Sequence, residues 1–111
     1  AVARESGLTA VVRSKQVPSI DDKVLSLIDE GCVPGGTKSN LEAASNTSFA
    51  AGIPDSLKLL LADAQTSGGL LLSVPPESLD QALSLLKEKG APCAEVIGEM
   101  KPRNDHDIEV L

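Results

Sequence analysis

Apolar positions along this chain recur with two different periods, and the breaks between them outline the elements. Residues 1–6 read as the last turns of a helix, with Gly7 as its C-terminal cap. Leu8-Thr9-Ala10-Val11-Val12 is a short β-rich run. Pro18-Ser19 ahead of Asp21 and Asp22 supplies helix-start chemistry, a hydroxyl for orphan amides and early acids for the dipole. Val24, Leu25 and Ile28 then form an apolar stripe that Gly31 ends. Residues 32–40 read as a loop because of Pro34-Gly35-Gly36, and 41–48 carry a weak helical signal. Asp55-Ser56 caps a helix with Leu57, Leu60 and Leu61 on one face. Residues 63–69 form a second polar loop, which feeds Leu70-Leu71-Leu72-Ser73-Val74, a run with the look of a buried strand. The clearest helix opens at Pro75-Pro76-Glu77. Leu79, Ala82, Leu83 and Leu86 fall at i, i+3, i+4 and i+7, Lys87 and Lys89 complement the dipole, and Gly90 stops it. Residues 94–97 and 108–111 read as strands either side of the polar turn 101–107. The order contains one β-α-β near the end, and the class is α+β or α/β.

Composition narrows the function. A length of 111 residues fits one domain, and 41% hydrophobic with 23% charged residues is globular rather than disordered. Aromatic content is 1%, with Phe49 alone, which argues against modules that stack bases on rings. The expected core is Leu, Val, Ile and Ala. Ten Lys and Arg against sixteen Asp and Glu give a net charge of −6. With no basic run, neither nucleic acid nor an anionic membrane surface is an expected partner. No stretch reaches the roughly 18–20 apolar residues of a bilayer span. Residues 1–5 lack the pattern of a signal peptide, and Ala1 stands where an initiator Met would. The expectation is a processed chain or a piece of a longer one.

Cys32 and Cys93, far apart, read as reduced thiols of a cytoplasmic protein rather than a disulfide framework. His106 is the only histidine, and without locally paired ligands no metal site is expected. Cys32 follows a helix C-terminus, whose dipole does not favour a nucleophilic sulfur; Cys93, after Pro92, reads as a small packing residue; and His106, between two aspartates, reads as exposed. No self-sufficient catalytic set is visible.

Two segments carry candidate chemistry. Gly31 and Gly36 have the spacing of a phosphate loop, but Thr37-Lys38 reverses the order that motif requires, so it is not one. Gly35, Gly36, Thr37, Lys38 and Asn40 either form an ordinary turn with a solvated ammonium or hold an anion. In the second, Gly68 and Gly69 would let amides converge on a negative group, and Thr66 and Ser67 add hydroxyls. The alternative there is a tight connection in which Asp63 and Thr66 satisfy backbone amides.

Together the segments resemble a known family. Gly31-Cys32-Val33-Pro34-Gly35-Gly36-Thr37-Lys38-Ser39-Asn40-Leu41 is similar to the G-x-V-P-G-G-T-x-x-N-L segment of the selenophosphate synthetases (selenide, water dikinases). Leu59-Leu60-Leu61-Ala62-Asp63-Ala64-Gln65-Thr66-Ser67-Gly68-Gly69-Leu70-Leu71 resembles their L-L-x-D-x-Q-T-S-G-G-L-L block, and Val96-Ile97-Gly98-Glu99 their closing strand. The resemblance places the chain in the superfamily of aminoimidazole ribonucleotide synthetase. It implies a single C-terminal α+β domain over residues 1–111, a mixed sheet flanked by helices, without the N-terminal ATP-binding domain. The family makes selenophosphate, used for selenocysteine biosynthesis, from selenide, ATP and water with Mg²⁺, releasing AMP and phosphate. Its Cys- or selenocysteine-bearing glycine-rich start, catalytic Lys and metal-binding aspartates have no counterpart here, and Cys32 sits elsewhere in the pattern. The resemblance implies a homodimeric enzyme whose partner domain holds ATP and Mg²⁺. It also implies selenium and phosphate species at a domain cleft lined by Gly35, Gly36, Thr37, Lys38, Asn40, Asp63, Gln65, Thr66, Ser67, Gly68 and Gly69. Alternatives are another superfamily member, such as a thiamine-monophosphate kinase or a hydrogenase-maturation protein, and a non-catalytic small-anion-binding domain.

Overall fold

A computed structural model describes residues 1–111. The backbone divides into two units, Ala1–Ala64 with Ile97–Leu111, and Gln65–Val96. The first unit holds α1 (Val2–Glu5), β1 (Leu8–Val12), α2 (Val24–Asp29), α3 (Gly35–Ala43), β2 (Thr47–Phe49), α4 (Asp55–Leu61), β3 (Gly98–Pro102) and β4 (Ile108–Val110). The second holds α5 (Leu79–Glu88), entered through a single tight turn at Pro76–Ser78.

The four strands form one mixed sheet in the order β2-β4-β1-β3, so the class is α+β. β1 runs antiparallel to β3, with Leu8 opposite Pro102 and Val12 opposite Gly98. β4 lies parallel to both β1 and β2, with Ile108 beside Ala10 and Thr47. Along β1 the period of two buries Thr9 and Val11. The deepest apolar residues are Ala3, Val11 and Val110, not leucines; Thr9, Ser14, Thr37 and Asp107 are buried with them. These polar residues are tolerated because they are bonded. The Thr9 hydroxyl donates to the His106 carbonyl at 2.7 Å, and the Ser14 hydroxyl to the Leu111 carbonyl at 2.6 Å.

Several expected elements hold. α1 closes at Gly7 and β1 covers 8–12. α2 ends at Gly31, and α5 ends at Gly90, with φ of 91° and 80°, a backbone state that favours glycine. Near the start of α2 the Asp21 carboxylate accepts the Lys23 amide at 2.8 Å. Asp55, expected as a cap, lies inside the first turn of α4, where it pairs with Lys58 at 3.0 Å; Pro54 precedes it without a side-chain cap.

Other expectations are corrected. Pro34-Gly35-Gly36 opens α3 rather than a loop: Pro34 is extended and its carbonyl accepts the Thr37 amide at 3.1 Å. Proline suits a helix entry, and glycine's cost of about 1 kcal/mol per residue is offset by the contacts α3 makes. The weak helical signal of 41–48 is divided, its start ending α3 and its end forming β2. Residues 70–74 are not a buried strand. They have no ladder partner, and Leu70 is 91% exposed. An apolar run becomes a strand only where a neighbour accepts its amides. The strand expected at 94–97 starts at Gly98, where pairing with β1 begins, so α5 is not flanked by strands as a β-α-β unit. No helix is long and apolar enough to cross a membrane.

Candidate functional site

Four candidate residues of the first unit, Gly36, Thr37, Asn40 and Asp63, lie where α3 packs on the end of α4 and the residues after it, and Gly35 and Lys38 are not among them. Thr37 and Asn40 are three residues apart and so share one face of α3. The Thr37 hydroxyl donates to the Asp63 carboxylate at 3.2 Å and accepts the Ala64 amide at 3.2 Å. The Asn40 side-chain amide donates to the Ala62 carbonyl at 3.1 Å. Gly36 lets α3 approach the chain that follows α4, since a Cβ there would stand 3.1 Å from the Ala64 Cβ. Thr37 is 1% exposed, whereas Gly35, Gly36, Lys38 and Asn40 are exposed.

Two cavities flank this contact. The larger, about 460 Å³, is lined by Val12, Leu41, Phe49 and Val110, with Asn40 and Asp63 adding polar groups. The ammonium of Lys58, also on its lining, lies 5.6 Å from the Phe49 ring centroid, within cation–π range. The smaller, about 260 Å³, is lined by Val33, Leu60, Cys32, Thr37 and Asp63. Asp63 therefore borders both.

Gln65, Thr66, Ser67, Gly68 and Gly69 belong to the second unit and are exposed. The Gln65 side chain lies over Gly68, where a Cβ would meet its Oε1. A flexible side chain can move aside, so this contact does not by itself demand glycine. Cys32 and Cys93 are free thiols and both exposed, so Cys93 is not the packing residue expected. His106 is half-buried rather than exposed, because its carbonyl is taken by Thr9. The chain brings together no group of three His, Cys, Asp or Glu that would hold a metal ion.

A second polar cluster, with Asp107 at its centre, escaped the sequence pattern. Arg4 donates to its carboxylate through Nη2 at 2.8 Å and Nε at 3.1 Å, and Arg103 through Nη1 at 2.5 Å. The Arg4 hydrogen bond, followed by that of Arg103, pushes the Asp107 pKa down to about 2, against the opposing effect of burial. The same bond raises that of Arg4. The cluster ties α1 to the β3–β4 turn, and its contacts are all internal. The i, i+4 spacing of Arg103 and Asp107 was a legible signal; Arg4, 103 residues away from Asp107, was not.

Comparison with known proteins gives this geometry its context. A selenide, water dikinase of Haemophilus influenzae (strain 86-028NP) is 38% identical over 109 residues, covering 98% of this chain and 30% of the relative. One from Pseudomonas aeruginosa is 40% identical over 110 residues, 99% of this chain and 31% of the relative. One from Myxococcus xanthus is 42% identical over 93 residues, 83% of this chain and 26% of the relative. The chain thus spans about 30% of the length of the first of these relatives. The family model described as "AIR synthase related protein, C-terminal domain" matches residues 1–111 throughout, and the chain belongs to that family.

Proposed function

We propose that residues 1–111 form a single C-terminal domain of a selenide, water dikinase, which converts selenide, ATP and water to selenophosphate, AMP and phosphate. The observation that carries this reading is the identity of 38–40% over nearly the whole chain to relatives bearing that name. The N-terminal ATP-binding domain is the principal partner, and the complete enzyme is a cytoplasmic homodimer. ATP and Mg²⁺ belong mainly to that partner domain. The acidic residues of this chain do not assemble into a metal-binding set, so no step through Mg²⁺ is assigned to them.

Phosphoryl transfer depends chiefly on positioning and on neutralising charge, and this is the work assigned to the two candidate segments. Gly35 and Gly36 occupy the first turn of α3, where helix amides lack an intrahelical acceptor, and Lys38 adds an exposed ammonium nearby. Thr66 and Ser67 offer hydroxyls, and no neighbouring atom crowds the position a Cβ would take on Gly69, which leaves the backbone there open to an anion. Each segment binds phosphate or selenium species in the complete enzyme. Replacing Thr66 and Ser67 with Ala in the full-length gene product is expected to lower turnover well beyond any change in melting temperature. Kinetics unchanged by the double substitution would contradict the binding role.

A further inference from the structure

We propose that Thr37 is a positioning residue, whose buried hydroxyl fixes the backbone from which the 65–69 segment departs. The hydroxyl has one proton to donate and lone pairs to accept. It gives the proton to the Asp63 carboxylate and receives the Ala64 amide, each at 3.2 Å. At 1% exposure it acts through these two residues and not on a ligand directly. One turn along α3, Asn40 holds the preceding carbonyl, that of Ala62, at 3.1 Å. Three consecutive residues, 62, 63 and 64, are thereby fixed by one face of α3, and the absent Cβ of Gly36 permits the approach. Residue 65, the first of the candidate anion-binding segment, follows directly in the chain, so the latch fixes the residue to which that segment is joined.

The consequence for turnover rests on the proposed dikinase reading, whereas the latch itself does not. The test uses Thr37→Val and Thr37→Ser in the full-length gene product, with two readouts. Amide exchange at Ala64 reports the latch, and steady-state kinetics with selenide and ATP report its use. Loss of one hydrogen bond corresponds to roughly tenfold in an equilibrium, so Thr37→Val is expected to speed Ala64 exchange about tenfold. It is also expected to lower kcat more than it raises KM, with Thr37→Ser recovering most of both losses. Unchanged Ala64 exchange in Thr37→Val overturns the latch. Faster exchange with unaltered kcat overturns the positioning role. If the unsubstituted protein shows no selenide-dependent turnover, the dikinase reading fails while the exchange readout still decides the latch. Asn40→Ala, at an exposed position, supplies the same two readouts if Thr37→Val does not fold, with faster exchange at residues 62–64 and lower kcat expected. Unchanged exchange together with unchanged kcat in Asn40→Ala would overturn the proposal.

Discussion

Gly98 lies directly against the carbonyl oxygen of Val11, so that a Cβ on residue 98 would overlap it. The contact follows from the pairing of β1 with β3, in which Gly98 stands opposite Val12 at the end of the ladder. The obstructing atom is backbone in the central part of the sheet, and no rotamer change relieves it. Gly98→Ala is therefore expected to destabilise the chain by about 1–3 kcal/mol, the usual range for overpacking. Denaturant unfolding checks this, and a midpoint equal to that of the parent chain would show that the two strands separate freely.

The carboxylate of Asp107 makes stability depend on acid. Its pKa is lowered from 3.8 to about 2, so its contribution is present above the unfolded value and is lost as pH falls through about 2. Asp107→Asn is expected to melt below the parent at pH 7. The difference should narrow between about pH 4 and pH 2, as the parent loses its paired carboxylate. Thermal melts across that interval decide the matter. A gap that stays constant with pH would mean that the Arg4 and Arg103 contacts do not depend on the charge of Asp107.

The isolated chain is expected to fold without binding Mg-ATP tightly. Its candidate donors suit anions, but its acidic residues form no metal-holding set. Calorimetric titration with Mg-ATP should give only weak heats. Micromolar affinity would move nucleotide binding onto this chain and contradict the division of labour proposed.

What could be read from the residues was mostly local. β1 was visible from its β-rich residues and α5 from its unbroken period of 3.6, and Gly7, Gly31 and Gly90 marked helix ends by the backbone state they permit. α3 was not visible, because Gly35 and Gly36 are poor helix formers. The contacts that favour a helix there come from Ala62, Asp63 and Ala64, more than twenty residues later. The leucines at 70–72 misled for the reverse reason, since apolarity marks a strand only if a partner strand exists. Of the candidate site, the identities of Thr37, Asn40 and Asp63 were legible from the resemblance, but their mutual bonding was not. Residue type records that a hydroxyl is present, and only the fold shows what it bonds.

Most directly, the central claim is tested by ³¹P NMR of the full-length gene product incubated with ATP, Mg²⁺ and selenide. The expected result is a selenophosphate signal together with AMP and orthophosphate, all dependent on selenide. Nucleotide left intact, or ATP consumed at the same rate with and without selenide, would contradict the dikinase reading.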